Sequence, residues 1–488
     1  PMPIQTDVPS NILTPGFYAQ IDNSQAIQGT PAERHVALLI GLRRSTGTVA
    51  AEVVTAITGA PQGGEYFGRG SQLSQMITAW KGANPNTEVY ALALNEDAAG
   101  VKATSTITIA GTATEDGSLP FVWGGKRRVV AVTKGDDLED VAAAIAAADT
   151  ADGDSPTTSA AVAEVVTVSA RHKGVYGNGL SIFLNYYAGE KTPAGITVTI
   201  TAFASGATDP DAADAIAVFG GDQQYHTIVT GFTADANMDL LEAEMLSRWS
   251  SMRAIEGIVL ASFRGNYGAT QTYGDARNSP YSTVLGIGPS PTPPWMIAAS
   301  YAAVCAASSA ADPAVPLQTL QLPGVLAPLK AAQFIRSERD LLLADGIATA
   351  KISDSGDVSI ERARMTYQVN GNGVADPSYR DLETMRTLSY LRYSFRVRML
   401  TKFARAKIAD DGTLVAGQLI ATPSVVRAEC LALFREWGAA GLVEGEAAFA
   451  ASLIAERDPN DTGRMSVQMS PNLVNQYRIT AVRLAFIL

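Results

Sequence analysis

His35-Val36-Ala37-Leu38-Leu39-Ile40-Gly41-Leu42 is a continuous apolar run opened by one histidine. A short run without alternation predicts a strand buried on both faces, as in a parallel sheet. Ser71 to Trp80 follows as a predicted helix and Glu88 to Leu94 as a second strand. Strand, helix, strand in that order is the crossover unit of an α/β fold. The same rhythm returns downstream. His226 to Phe232, Glu256 to Phe263 and Ser282 to Gly288 read as strands, Ala234 to Trp249 as a helix, and Trp295 to Ala311 as a buried helix.

Between these two stretches the pattern changes. From Thr104 to about Ala204 the chain is β-branched and alternating, cut by Gly and Asp turns, which predicts strands. One helix interrupts them at about 137–149, with Asp136 or Asp137 as its N-cap. The α/β core is therefore split in sequence by a strand-rich insertion, an arrangement that works when the insertion's ends lie close together. After Pro328 come a helix from Ser337 to Ala344, stopped by Gly346, and a hairpin around Asp354-Ser355-Gly356-Asp357. A long helix is expected from Tyr379 to about Ala406, with shorter ones at 423–436 and 445–456.

The two ends are unlike the rest. Residues 1–30 hold Pro1, Pro3, Pro9 and Pro15 among small polar residues. Proline at that density blocks helices and removes ladder donors, so this segment is either disordered or an extended arm that binds something else. No basic patch followed by an apolar run marks a secretory signal there. At the other end Tyr477 to Leu488 alternates, with Val482, Leu484, Phe486 and Leu488 on one face of an expected strand. Its partner is either the chain's own sheet or another molecule, because an unpaired apolar strand aggregates.

Charged residues make up 17% of the 488 and the net charge is −11. Globular chains average about 25% charged residues. The deficit fits either an ordinary Ala- and Gly-rich protein or one that hides its exterior against partners. The acidic balance argues against nucleic acid as the main partner and against an anionic membrane surface.

Catalytic chemistry has little to stand on. Of the three histidines, His35 and His226 open apolar strands and read as structural, while His172 lies in a basic turn and is expected to be solvated. Cys305 and Cys430 are far apart and suggest neither a disulfide framework nor a zinc site. No metalloprotease, nucleophile-elbow or phosphate-loop motif occurs. Gly68-Arg69-Gly70-Ser71 before a helix is a weak anion-site signal. Asp149, Asp152 and Asp154 lack the calcium-loop pattern and read as a solvated acidic loop, and Asp458 and Asp461 as a turn. No metal, cofactor or catalytic residue is expected.

One charge feature stands out. Arg386, Arg392, Arg396, Arg398, Lys402, Arg405 and Lys407 follow each other without an intervening acid. Arg398, Lys402 and Arg405 share a helix face by spacing. The face is either solvated, or docked on an acidic protein partner, or in contact with nucleic acid.

The order of short segments resembles the contractile tail sheath proteins of Mu-like bacteriophages over essentially the whole chain. The stretches that carry it are Val8-Pro9-Ser10-Asn11, Pro15-Gly16-Phe17-Tyr18, Phe67-Gly68-Arg69-Gly70-Ser71, Arg171-His172-Lys173-Gly174, Arg277-Asn278-Ser279-Pro280 and Ser290-Pro291-Thr292-Pro293-Pro294-Trp295. Pro316-Leu317-Gln318-Thr319-Leu320, Ala375-Asp376-Pro377-Ser378-Tyr379, Leu388-Ser389-Tyr390-Leu391-Arg392-Tyr393, Leu473-Val474-Asn475-Gln476 and Phe486-Ile487-Leu488 complete it.

The resemblance implies a structural protein of the phage tail, assembled in the host cytoplasm, that polymerises helically with itself around a tail tube protein. It starts on a baseplate, ends at a tail terminator protein, and contracts to drive the tube through the host envelope. It also implies that terminal arms lend strands to neighbouring subunits. Pro15, Gly16, Phe17 and Tyr18 at one end and Val482, Leu484, Phe486 and Leu488 at the other are the expected arm contacts. Arg398, Lys402 and Arg405 are the candidate tube-facing residues.

The expected layout is an α/β core with an inserted β-rich domain, an α+β C-terminal domain and extended N- and C-terminal arms. The arms take residues 1–30 and 473–488, the core 31–103 and 206–329, the insertion (on the outer surface) 104–205, and the C-terminal domain 330–472. Two other readings compete: an α/β hydrolase-like enzyme, and a non-contractile surface or adhesion protein.

Overall fold

A computed structural model describes Thr14, residues 33–412 and residues 418–487. The expected N-terminal arm contacts Pro15, Gly16, Phe17 and Tyr18, and also Leu488, lie outside the described residues. Chain contacts divide the molecule into two compact units, one built on Arg34–Ser389 with residues 474–487 and one on Tyr390–Leu473.

The first unit is organised by an eight-stranded sheet. From edge to edge its strands are Val358–Arg362, Ala348–Ile352, Ser282–Gly286, Ile258–Phe263, Thr227–Thr230, Val36–Leu42, Glu88–Leu94 and Val54–Ile57. The six inner strands are parallel and the two outer ones antiparallel. Every residue of Val36–Leu42 is buried, because helices cover both faces of a parallel sheet. Leu42 N–H ends its strand by donating to Gln72 Oε1 at 2.9 Å. Ser71 caps the Gln72–Ala83 helix through Ser74 N. That helix packs on Pro294–Ala311, where Ala and Ser allow close approach and Trp295 Nε1 donates to Gln75 Oε1 at 2.8 Å.

The antiparallel hairpin Ala348–Ile352 and Val358–Arg362 extends this sheet. The first compact unit therefore runs on to Ser389, beyond the expected boundary near residue 330. A hairpin turn is visible in sequence; which sheet its outer strand joins is not, because that depends on a remote neighbour. Gly346 (φ +77°) ends the Arg336–Ala344 helix, and a Cβ there would meet the Thr366 carbonyl at 2.7 Å.

Residues 102–200 form a four-stranded antiparallel sheet in the order Ile196–Ile200, Lys102–Gly111, Val165–Lys173, Thr157–Val162. A three-stranded sheet of Lys126–Val132, Gly117–Trp123 and Ile182–Leu184 lies in the same stretch. Asp137 caps the Leu138–Thr150 helix through Glu139 N. Gly117–Trp123 is a central strand despite Pro120. Its pairing with Ile182–Leu184 covers only 121–123, so the missing proline N–H costs no ladder bond there.

Two expectations fail in this region. Asp149 is fully buried, not solvated; Trp123 Nε1 (3.0 Å), Thr157 Oγ1 (3.0 Å), Ser155 Oγ and Ser159 Oγ (2.6 Å) all donate to it. Asp152 and Asp154 pair with Lys126 and Arg69. His172 is 2% exposed and its Nδ1 lies 2.7 Å from Glu96 Oε1. It sits near the end of strand Val165–Lys173, where alternation turns it inward. Local polarity suggested water in both places; tertiary packing replaced that water with internal partners.

In the second unit, the helix Leu382–Phe403, whose residues from Tyr390 on belong here, lies with Pro423–Ala439, Glu446–Ser452 and, among the described residues, three two-stranded sheets. Trp437 Nε1 donates to Ser394 Oγ at 2.9 Å, and Phe434 stacks on Phe449 at 4.1 Å. The expected turn is present, with Asp458 Oδ1 accepting from the Asn460 and Asp461 amides. Among the described residues no helix is long and apolar enough to cross a membrane.

Candidate assembly surfaces

Among the described residues the expected C-terminal strand joins none of the chain's own sheets. Residues 474–487 have no regular secondary structure. Ile479, Leu484 and Phe486 are 84%, 90% and 83% exposed, and Val482 is exposed as well. Alternating apolar residues need a sheet face to bury them, and none meets them among the described residues.

The segment is nevertheless anchored at its root. Gln318 Nε2 donates to the Tyr477 carbonyl at 3.1 Å, and Gln476 Nε2 to the Ala314 carbonyl at 3.4 Å. Arg478 Nη2 lies 3.2 Å from Glu383 Oε1 and 3.6 Å from Asp381 Oδ1. Glu383 also accepts the Leu317 amide at 3.1 Å, and Asp381 holds Arg362 in a two-point contact at 2.7 and 2.8 Å. Burial alone would raise the Asp381 carboxyl; the Arg362 hydrogen bond and the Arg478, Arg362 and Arg380 charges outweigh it and hold the group below its usual range. Sequence reading did not find this anchor. Asp381 and Glu383 look like ordinary acids at a helix start, and Arg478 lies about 95 residues away.

The three candidate tube-facing cations are not alike. Arg398 pairs with Glu429 at 2.7 Å and with Glu436, and Lys402 with Glu429 at 2.8 Å, both acids on the Pro423–Ala439 helix. Desolvation would raise Glu429, but Lys402 and Arg398 bring it below its ordinary value. The basic face is thus partly spent inside the unit. Lys402 keeps 50% of its side chain exposed, and Arg405 is exposed with no ion pair among the described residues. Arg386 is buried and donates to the His226 carbonyl and Thr227 Oγ1.

The titratable groups that would serve catalysis are structural. His35 and His226 stack at 4.7 Å, and His226 Nδ1 accepts the Val36 amide at 3.2 Å. Burial and the nearby His226 and Arg386 push His35 down to about 2. Cys305 and Cys430 are buried free thiols pushed up by desolvation, Cys430 to about 11, which removes the thiolate that reactivity needs. His172 Nε2 has no hydrogen-bond partner among the described residues, so no hydroxyl is held there for attack. The Gly68–Ser71 anion-site signal is consumed as well: Arg69 grips Asp154 at 2.9 Å and Ser71 caps its helix.

Comparison with known proteins agrees with this architecture. The family description "Phage tail sheath protein central domain" matches residues 205–366, and "Phage tail sheath C-terminal domain" matches residues 374–487. The Mu-like prophage FluMu tail sheath protein of Haemophilus influenzae is 37% identical over 483 residues, covering 99% of each chain. The helical sheath of the anti-feeding prophage in its contracted state has the same fold, with a TM-score of 0.50, 11% identity, and coverage of 96% of this chain and 98% of that one. Matched by both family descriptions and aligned end to end with a sheath protein, the chain belongs to the phage tail sheath family.

Proposed function

We propose that this chain is the structural subunit of a contractile phage tail sheath, and that residues 474–487 form the arm by which each subunit holds the next. The observation that carries the reading is a rooted but unpaired apolar segment. Arg478, Tyr477 and Gln476 are tied to their own subunit, and the residues beyond them are exposed. Burying a Val, Leu or Phe side chain is worth about 1.5–3 kcal/mol each, so Val482, Leu484 and Phe486 favour any partner that offers a strand edge.

The second unit supplies such edges. The pairs Ile454–Arg457 with Met465–Gln468 and Val443–Glu444 with Asn472–Leu473 are two-stranded among the described residues. Sheets that small gain from a third strand, and strand addition provides it across chains. Because donor and acceptor are different surfaces, the contact runs head to tail and propagates as an open helix. Residues 1–30 are proposed as a second arm through Pro15, Gly16, Phe17 and Tyr18, residues 104–205 as the outer insertion, and 330–472 as the polymerising region, with its part from Tyr390 on forming the second unit.

The tube, baseplate and terminator are proposed partners, with assembly in the host cytoplasm. The tube contact is proposed to centre on Arg405 and Lys402, with Arg398 holding their helix in place. Electron microscopy of the purified chain tests the reading. Tubes or helical rings support it, and monodisperse single subunits at high concentration count against it.

A further inference from the structure

The first unit holds a cleft of about 470 Å³ lined by Arg43, Arg44, Ser45, Asn95, Glu96, Lys102, Arg171 and His172. Arg43 and Arg44 directly follow strand Val36–Leu42, and Asn95 and Glu96 follow its parallel neighbour Glu88–Leu94. Open α/β sheets bind ligands outside the carboxyl ends of their strands. Lys102 and Arg171-His172 come from two paired strands of the inserted sheet, so core and insertion both build the cleft.

Its charge is opposite to that of the molecule. Four permanent cations face one carboxylate in a chain of net charge −11. Arg43, Arg44, Lys102 and Arg171 make no salt bridge among the described residues. The three arginines donate to carbonyls instead: Arg43 to Gly47, Arg44 to Arg69, and Arg171 to Ser155 and Asp152. Glu96, the one acid, is spent on His172 Nδ1. One buried donor in the lining, Arg43 Nε, has no partner among the described residues. A buried guanidinium N–H left unpaired costs free energy unless an acceptor meets it.

We propose that this cleft is a binding site for a phosphate group, whether free or carried as a monoester. Several guanidinium groups and an ammonium converging from different strands match a tetrahedral dianion, which accepts charge-assisted hydrogen bonds on every oxygen. Cations gathered in a concave site also concentrate anions from solution. The bound group would bridge the loops of the core sheet and the strands of the insertion, tying the two together. This inference is independent of the arm and the tube contact.

The test is calorimetric titration of the full-length chain with inorganic phosphate and, separately, with glycerol phosphate at matched ionic strength. Saturable binding of one equivalent is expected, with a melting temperature that rises as ligand is added. Binding of inorganic phosphate alone would mark a site closed to esters, and binding of both an open one; either supports the site. Lys102 is exposed and on a strand end, so Lys102→Gln should keep the melting temperature of the ligand-free chain and weaken binding about tenfold. Lys102→Glu should abolish it. Absence of saturable binding with both ligands, or unchanged affinity in Lys102→Glu, would overturn the proposal.

Discussion

Arg478 Nη2 lies 3.2 Å from Glu383 Oε1, a carboxylate whose side chain is 1% exposed. The pair joins the root of the C-terminal segment to the first turn of the Leu382–Phe403 helix. A buried carboxylate that loses its cation keeps its desolvation cost and loses the compensation. Arg478→Ala is therefore expected to lower the unfolding free energy by on the order of 3 kcal/mol, measured by urea denaturation. Arg478→Lys should recover part of it, because the charge returns without the planar fork.

The exposed part of the arm carries a different expectation. Leu484 and Phe486 are 90% and 83% exposed, so Leu484→Asp and Phe486→Asp should melt within a degree or so of the parent, as for surface changes worth about 0.5 kcal/mol or less. Polymer formation, read by sedimentation and electron microscopy, should fall sharply in both. Normal tubes from a chain truncated after residue 479 would refute strand lending by this arm.

Charge reversal separates the cations of the long helix. Arg398→Glu places an acid against Glu429 and Glu436 and should destabilise the second unit itself, visible in a thermal melt. Arg405→Glu meets no acid of its own chain among the described residues and should leave the melt unchanged while weakening co-assembly with tube protein. Intact co-assembly of that variant would remove Arg405 from the tube contact.

The buried histidines set a pH dependence. His35 is held down to about 2 by burial, and His172 is also lowered by desolvation, against an ordinary value of 6.5. Between these values the unfolded chain binds a proton that the folded chain rejects. The unfolded state then holds more protons, so stability rises with pH and is fully present only above about 6.5. Denaturation midpoints should fall steadily from pH 7 to pH 5, and His35→Gln should flatten the slope. A slope unchanged in that variant would place the proton uptake elsewhere.

Asp149 gives the fourth buried-charge test. It accepts from Trp123, Ser155, Thr157 and Ser159 and lies 3.5 Å from Arg128. Asp149→Asn turns one acceptor oxygen into a donor facing donors and strips Arg128 of a charge partner. A loss of about 2–4 kcal/mol is expected, with the first unit melting before the second.

The sequence by itself determined the parts that depend on local spacing. Val36–Leu42, Glu88–Leu94 and Ile258–Phe263 form where continuous apolar runs required buried parallel strands. Ser71 and Asp137 cap the helices they precede. Family membership was legible for the same reason, as short motifs in fixed order survive in a linear string. Tertiary structure alone decided whatever depends on a distant partner. It buried Asp149 and His172, spent Arg398 on Glu429, added the 348–362 hairpin to the core sheet, and rooted the C-terminal segment through Arg478 on Glu383. A side chain's charge is written in the sequence, but whether that charge meets water, an acid of its own chain or a neighbour depends on which surfaces the fold leaves uncovered.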